Sequence, residues 1–232
     1  MLRFPVRPLA VLAALVSLTA CETTERAADT AAEGAVDAAE AVGDVATTVA
    51  GAVADAAGAV YETAEDVFTD DPDADAVALV RPTSAPAADA QGTVRFREAG
   101  DGLQVMVSLS GLAPGQHGVH IHQNPSCGMG DADGDGRMEP GGAAGGHWDP
   151  LNTMDHGAAT DDLDSKHLGD LGNVTARADG TAEATFTIAA FPDDQDVAGH
   201  AVIVHAQADD RESDPGGTSG ARMGCGVIEG RM

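Results

Sequence analysis

Gly102-Leu103-Gln104-Val105-Met106-Val107-Ser108-Leu109-Ser110 decides the fold class. Its large apolar residues Leu103, Val105, Val107 and Leu109 fall at every second position, the period of a strand with one buried face. The period recurs on both sides. Val94 and Phe96 alternate with Thr93, Arg95 and Arg97, and Ala184, Phe186 and Ile188 alternate with Thr185 and Thr187. Marking every such run between Gly, Pro and Asp turns gives eight segments, near 76–82, 92–98, 102–110, 117–123, 171–178, 181–189, 199–206 and 223–229. Short strands without convincing helices between them predict an all-β domain, a sandwich or flattened barrel. The interval 123–170 carries few strand signals and many Gly, Asp and His; a loop that long in a compact domain is usually functional.

Composition narrows the function. Lys+Arg number 12 against 38 Asp+Glu, a formal charge of −26, and Lys166 is the single lysine. Binding nucleic acid needs a basic surface that displaces counterions, so that class is excluded. Aromatics are 3% and Gly is 29 of 232, as suits a loop-rich β protein.

Upstream of the strands the texture differs. Arg3 and Arg7 precede an apolar run, Leu9 to Ala20, too short to span a bilayer. It ends Leu18-Thr19-Ala20-Cys21, the pattern of a bacterial lipoprotein signal. Cleavage before Cys21 would leave that residue to carry acyl chains, each buried CH₂ contributing roughly 0.8 kcal/mol to anchoring. Glu22, where Asp would favour the inner membrane, resembles the signal for the outer one. The mature chain would stand near −28 (10 minus 38) with two cysteines, Cys127 and Cys225. In an exported chain these most simply pair, closing a loop of 98 residues.

Residues 22–75 are Ala-rich and acidic, with fifteen Asp/Glu against Arg26. Val42, Val45, Val49, Val53, Ala56, Val60, Ala64 and Val67 form a stripe at helical spacing. Gly34, Gly43, Gly51 and Gly58 interrupt it, each weakening a helix by roughly 1 kcal/mol. The segment is therefore read first as a solvated spacer. The division expected is signal peptide 1–20, lipid-anchored spacer 21–75 and folded domain 76–232.

Six of the eight histidines stand in one pattern. His120 and His122 form His-x-His in a strand, so both rings share a face, about 7 Å apart along it. His147, His156, His167 and Asp170 follow in the long loop, and His205 closes Ala-Val-Ile-Val-His. Six imidazoles and one carboxylate exceed the four ligands of one zinc, so two metals fit better. Imidazole suits copper and zinc, whereas magnesium and calcium prefer oxygen.

These residues carry a resemblance. Gly118-Val119-His120-Ile121-His122, Gly146-His147-Trp148-Asp149-Pro150, His167-Leu168-Gly169-Asp170-Leu171-Gly172-Asn173-Val174, Val204-His205 and Gly220-Ala221-Arg222-Met223-Gly224-Cys225-Gly226-Val227-Ile228 together resemble copper–zinc superoxide dismutase, over about residues 76–230. Asn124-Pro125-Ser126-Cys127 points to the exported bacterial branch. The resemblance implies an eight-stranded Greek-key sandwich. It implies copper on His120, His122, His147 and His205, and zinc on His147, His156, His167 and Asp170, with the His147 ring shared. It implies that Asp209 links one copper and one zinc histidine, that Arg222 stands beside the open copper position, and that Cys127–Cys225 ties the long loop to the last strand. The activity implied is dismutation: one superoxide reduces copper and leaves as oxygen, and a second reoxidises it and leaves as hydrogen peroxide. The setting implied is the periplasm or outer membrane, and the resemblance admits a homodimer. His117, His200 and Trp148 are read as structural.

Two features depart from that pattern. The domain 76–232 remains at −14 (9 minus 23), so an anionic substrate needs local positive potential. The candidates are Arg222, then Arg137, Lys166 and Arg211. Second, Asp131, Asp133 and Asp135, with Glu139, resemble the opening of an EF-hand calcium loop. Its twelfth place is Gly142 rather than Glu, so an ordinary acidic turn is expected. A rival reading, a non-catalytic copper/zinc-binding module of the envelope, would keep the histidines and dispense with Arg222 and the disulfide.

Overall fold

The alternation becomes eight antiparallel strands in the computed structural model, which describes residues 63–230. They are β1 (Ala76–Pro82), β2 (Gln91–Ala99), β3 (Gly102–Ser110), β4 (Gly115–His122), β5 (Asp170–Ala176), β6 (Ala182–Ile188), β7 (Ala201–His205) and β8 (Arg222–Gly230). Each begins and ends within two residues of its predicted span. The order in the sheet is β5-β4-β7-β8-β1-β2-β3-β6. The end strands β5 and β6 lie alongside each other, so the sheet curls into a nearly closed barrel. The pairings β3–β6 and β4–β7 skip neighbours in sequence, which is the Greek-key connection.

Register follows the apolar period. Val105 of β3 stands opposite Phe96 of β2 and Phe186 of β6, and Val107 opposite Val94 and Ala184. These residues point inward with Val119 and Ile121 of β4, Leu171 and Val174 of β5, Val202 and Val204 of β7, and Ile228 of β8. Ile203 faces the other way and packs with Ala144, Ala201 and Cys225. The segment between β4 and β5 thus folds over the outer face of β4, β7 and β8. Its one regular element is a 3-10 turn, Gly142–Ala144. This cover buries β4 on both faces from His117 to His122. Val119 and Ile121 fill the barrel, and the alternate His120 and His122 lie under the loop.

The residues just before β1 pack on the barrel. Helix α1 (Ala64–Asp70) begins at a capping box: Asp66 N–H donates to Thr63 Oγ1 at 3.3 Å, and Thr63 N–H to the Asp66 carboxylate at 3.0 Å. Ala64 and Val67, the last members of the helical stripe, are its buried residues, and Val67 packs on Val77 with Leu79 and Phe68. Complete burial of a valine contributes roughly 1.5–3 kcal/mol. Arg97 ties the helix exit down, with Nη2 donating to Asp71 Oδ1 at 3.0 Å and Nε to the Asp73 carbonyl at 3.1 Å. Residues 63–75 therefore belong to the folded body. The signal peptide, Cys21 and the spacer up to residue 62 lie outside the described residues.

Candidate metal centre

Four imidazoles converge on the outer face of the barrel. Registers shift by a bulge between Val119 and His120 and between Val204 and His205; a bulge re-aims the side chain that follows. Beyond β4 the chain pairs with the loop, and His147 stands across from His122. The ring centroids lie 4.1 Å apart for His120–His147, 4.9 Å for His122–His147 and 5.0 Å for His120–His205. One nitrogen from each of His120, His122, His147 and His205 lies within 4.8 Å of the others, and all four residues are buried.

The free nitrogens are fixed by what the opposite nitrogens do. His122 Nδ1 donates to the Gly145 carbonyl at 2.9 Å, and His205 Nδ1 to the Gly220 carbonyl at 3.1 Å. His120 Nε2 donates to Asp209 Oδ2 at 2.9 Å. A carbonyl or carboxylate only accepts, so each of these nitrogens carries the proton and the other bears a lone pair. Those others, His120 Nδ1, His122 Nε2 and His205 Nε2, are buried without a hydrogen-bond partner among the described residues. Unpaired buried polar atoms are costly, and three lone pairs converging on one point are what a bound cation satisfies. Burial, then the neighbouring His147, lowers the His122 pKa; burial, then His120, lowers that of His205. Both rings are therefore neutral at physiological pH.

The second cluster is built around Asp170. Its Oδ1 faces Nδ1 of His147 at 2.7 Å, of His156 at 3.0 Å and of His167 at 3.3 Å. Its Oδ2 accepts from the backbone N–H of His167 at 2.9 Å and of Gly157 at 3.1 Å. Four ligands tetrahedrally placed around zinc stand about 3.3 Å apart, so the spacing fits. Burial would raise the Asp170 pKa, but the hydrogen bonds from His147, His156 and His167 outweigh it and hold the carboxyl far below its ordinary range. His147 is lowered to about 3, by burial and then by His120. His156 is raised to about 10: burial lowers it, and its bonds to Asp170 and Asp209 more than compensate.

Asp209 joins the two halves. It accepts from His120 at 2.9 Å and from His156 Nε2 at 2.8 Å, with its side chain fully buried. Such a partner fixes ring orientation and tautomer in both clusters at once.

Arg222 stands directly across from His205 on β8. Its Nη1 donates to the Gly141 carbonyl at 3.0 Å and its Nη2 to the Gly145 carbonyl at 2.9 Å. Gly145 has φ 76° and ψ −158°, a conformation open essentially to glycine alone. Its one carbonyl orients both His122 and Arg222. Cys127 and Cys225 are joined in a disulfide, which holds this loop to β8 three residues from Arg222.

The other proposed cations are placed differently. Lys166, itself in the loop between β4 and β5, is 1% exposed, so it presents no charge to solvent. Arg137 is exposed but sits 3.7 Å from Asp135. Arg211 is exposed, with its guanidinium beside Gly172. Asp131, Asp133 and Asp135 gather on the surface and accept their own loop's N–H groups; Glu139 instead faces Arg222 Nε at 3.8 Å. His117 is a buried strut between the carbonyls of His205 and Ala113, at 2.9 and 2.7 Å.

Sequence reasoning missed the glycines that press on the centre. A Cβ at Gly217 would overlap Asp209 Oδ1, and one at Gly216 would lie 3.2 Å from His147 Nε2. The adjoining Asp214-Pro215-Gly216-Gly217 is a turn signal, but nothing in it says which ring the turn covers.

Fold and centre define a class: an all-β barrel carrying two buried histidine-rich clusters with one ring in common. A family model, copper/zinc superoxide dismutase, matches residues 90–228. The superoxide dismutase [Cu-Zn] of Haemophilus parainfluenzae is 42% identical over 140 residues, 60% of this chain and 73% of that protein. That of Deinococcus radiodurans is 39% identical over 140 residues, covering 76% of its length. Among solved structures, Cu/Zn superoxide dismutase from Brucella abortus superposes with a TM-score of 0.57 at 36% identity, over 66% of this chain and 98% of that one. The chain belongs to the copper/zinc superoxide dismutase family.

Proposed function

We infer that this chain dismutes superoxide to oxygen and hydrogen peroxide, with copper held by His120, His122, His147 and His205 and zinc by His147, His156, His167 and Asp170. The observation that carries the reading is the sharing of His147 between two ligand sets whose donor atoms lie within 4.8 Å of one another. Copper supplies one-electron redox chemistry, and zinc supplies none.

The rest is work for the chain. His147 has Nδ1 turned to Asp170 at 2.7 Å, which leaves Nε2 for the other quartet and as the atom that can take up and hand on a proton. Asp209 holds His120 and His156 in the tautomers that present Nδ1 inward. Arg222 commits two N–H groups to the Gly141 and Gly145 carbonyls, and Glu139 faces its Nε at 3.8 Å; the second N–H on each terminal nitrogen is left to attract and orient a small anion. The disulfide keeps those carbonyls under the guanidinium.

The test is metal analysis of the full chain with superoxide-dependent turnover, wild type against His147→Ala. Equal turnover at equal metal content in the variant would refute the reading.

We extend the proposal to the envelope. Export by residues 1–20 and acylation of Cys21 would place the enzyme outside the cytoplasm, at the periplasmic or outer-membrane surface, where a charged radical that crosses membranes poorly is met. Among the described residues no helix is long and apolar enough to cross a membrane. Mass spectrometry of the membrane-extracted protein should find an acylated N-terminal Cys21; an unmodified N-terminus would remove the anchor from the account.

A further inference from the structure

We propose that His200 is a positioning residue for the copper half of the centre, clipping the ribbon that carries His122 and His147 to the barrel. This rests on the reading of His120, His122, His147 and His205 as copper ligands.

His122 and His147 are neighbours because residues 121–124 and 144–148 form a short antiparallel ribbon. Trp148 N–H donates to the Ile121 carbonyl at 2.9 Å, Gln123 N–H to Gly146 at 3.1 Å and Asn124 N–H to Ala144 at 2.9 Å. This ribbon runs past the end of β4 and loses the support of the sheet. The β4–β7 ladder stops at His122 opposite Ala201. One step further, Gln123 would pair with His200, but no backbone bond joins them.

The His200 side chain takes over at that step. Its Nδ1 donates to the Gln123 carbonyl at 2.8 Å. Its ring stacks on Trp148 at 4.3 Å, tilted by 31°. Trp148 is buried and leans on Phe191 from another side. His200 therefore grips both strands of the ribbon, at the residues next to His122 and His147, and touches neither ligand. Its own backbone is fixed, because the Ile228 N–H of β8 donates to its carbonyl at 2.9 Å. The imidazole thus joins two other ties from the barrel to the ribbon, the Arg222 bond to the Gly145 carbonyl at 2.9 Å and the packing of Ala144 on Ile203 and Cys225, and it is the one that holds both ribbon strands next to His122 and His147. Without it, the spacing of His122 and His147 rests on the ribbon's three bonds and on the ties at Ala144 and Gly145, and among the described residues nothing from β7 holds Gln123 and Trp148 together.

Three variants separate donor from stack. His200→Phe keeps the stacking and loses the donor, His200→Asn keeps a donor near the Nδ1 position and loses most of the stacking, and His200→Ala loses both. Full-length protein loaded with copper and zinc is measured for the electron paramagnetic resonance spectrum of copper(II), the rate of copper loss to a chelator, and zinc content. Loss of an outer partner weakens metal binding about 10–100-fold, and His200 acts one residue further out. The expected result for His200→Ala is copper loss about tenfold faster, with a shifted copper spectrum and zinc retained. Phe and Asn should fall between it and the wild type. Wild-type copper spectra and loss rates in all three variants would overturn the proposal, even with a lowered melting temperature. Failure of the copper assignment reads differently: wild-type protein and His147→Ala would then show the same copper spectrum.

Discussion

Gly217→Ala should damage the centre through a single methyl group. Gly217 has φ +64°, and its new Cβ would overlap Asp209 Oδ1 and lie 2.6 Å from His156 Nε2. That ring nitrogen is roughly 1 Å inside ordinary contact, so the loop or the carboxylate has to retreat. The left-handed backbone alone costs about 1–2 kcal/mol for alanine. Displacing the carboxylate weakens a charge-assisted bond worth about 1.5–3 kcal/mol. The sum is about 2.5–5 kcal/mol of stability, with zinc affinity lower by about 10–100-fold as His156 loses its outer partner. Gly100→Ala supplies the reference, since Gly100 has φ +69° in the β2–β3 turn and nothing within 4 Å of the new methyl. It should show the backbone cost and no change in zinc affinity. Gly216→Ala, without a positive φ and 3.2 Å from His147 Nε2, should lie between. Calorimetry and zinc competition against a chelator read both quantities. Equal melting temperatures and equal zinc affinities for Gly217→Ala and Gly100→Ala would refute the claim that the loop backbone presses on the Asp209–His156 bond.

The remaining predictions concern charge, covalent tethering and the N-terminal helix. A unit charge acting over about 6 Å at an effective dielectric near 40 contributes about 1.4 kcal/mol, so Arg222→Ala should lower kcat/KM about tenfold at full copper content; an unchanged rate would discard the anion-guiding role. Arg137→Ala and Arg211→Ala should each cost less than about twofold at low salt and nothing at high salt, because exposed charges are screened; rates that fall equally at both salts would contradict this. Replacing Cys127 and Cys225 by Ser opens a loop of 98 residues, which should lower stability by about 4–5 kcal/mol in urea melts; a loss under about 1 kcal/mol would exclude the loop-closure account. Val67→Ala removes two buried methyl groups and should cost about 2 kcal/mol by the same measurement; a neutral result would return α1 to the spacer.

Much of the fold was legible because strand burial leaves a period of two in the sequence. Leu103, Val105, Val107 and Leu109 announce β3 without any tertiary knowledge, and His120 and His122 inherit their common face from the same rule. Which strands pair is less local: β3 meets β6 and β4 meets β7 across more than seventy residues, and no alternation encodes that. Helix α1 was half legible. Ala64 and Val67 fitted a helical stripe, but the acidic residues around them read as solvated until Val77 supplied the surface they pack on. The six histidines and Asp170 of the two clusters stood out as residue types. Their outer partners did not, because a carbonyl such as that of Gly145 has no side chain to read. Lys166 shows the opposite failure, a charge counted as surface by habit and found 1% exposed.

The excess of acid then has a local resolution. Of 38 acidic residues, Asp170 and Asp209 are buried against histidines, and Asp131, Asp133 and Asp135 accept backbone N–H groups on an exposed loop. Charges more than about 8 Å away are largely screened at physiological ionic strength, so an anion near the copper side responds chiefly to what lies within that range. Lys166 is buried, and Arg137 and Arg211 are exposed and so screened, whereas Arg222 is held on β8 directly across from His205. Burial lowers its pKa, while Glu139 and Asp133 act to raise it; a guanidinium starts so high that it stays charged regardless. Two backbone carbonyls hold it in one place with its side chain 10% exposed. The proposed attraction therefore depends on one well-anchored charge in a partly desolvated position, where Coulomb energies are about twice those in bulk water at an effective dielectric near 40. Both carbonyls belong to the loop that the disulfide fastens to β8, so under the proposed function the tether and the steering of substrate would be one structural requirement.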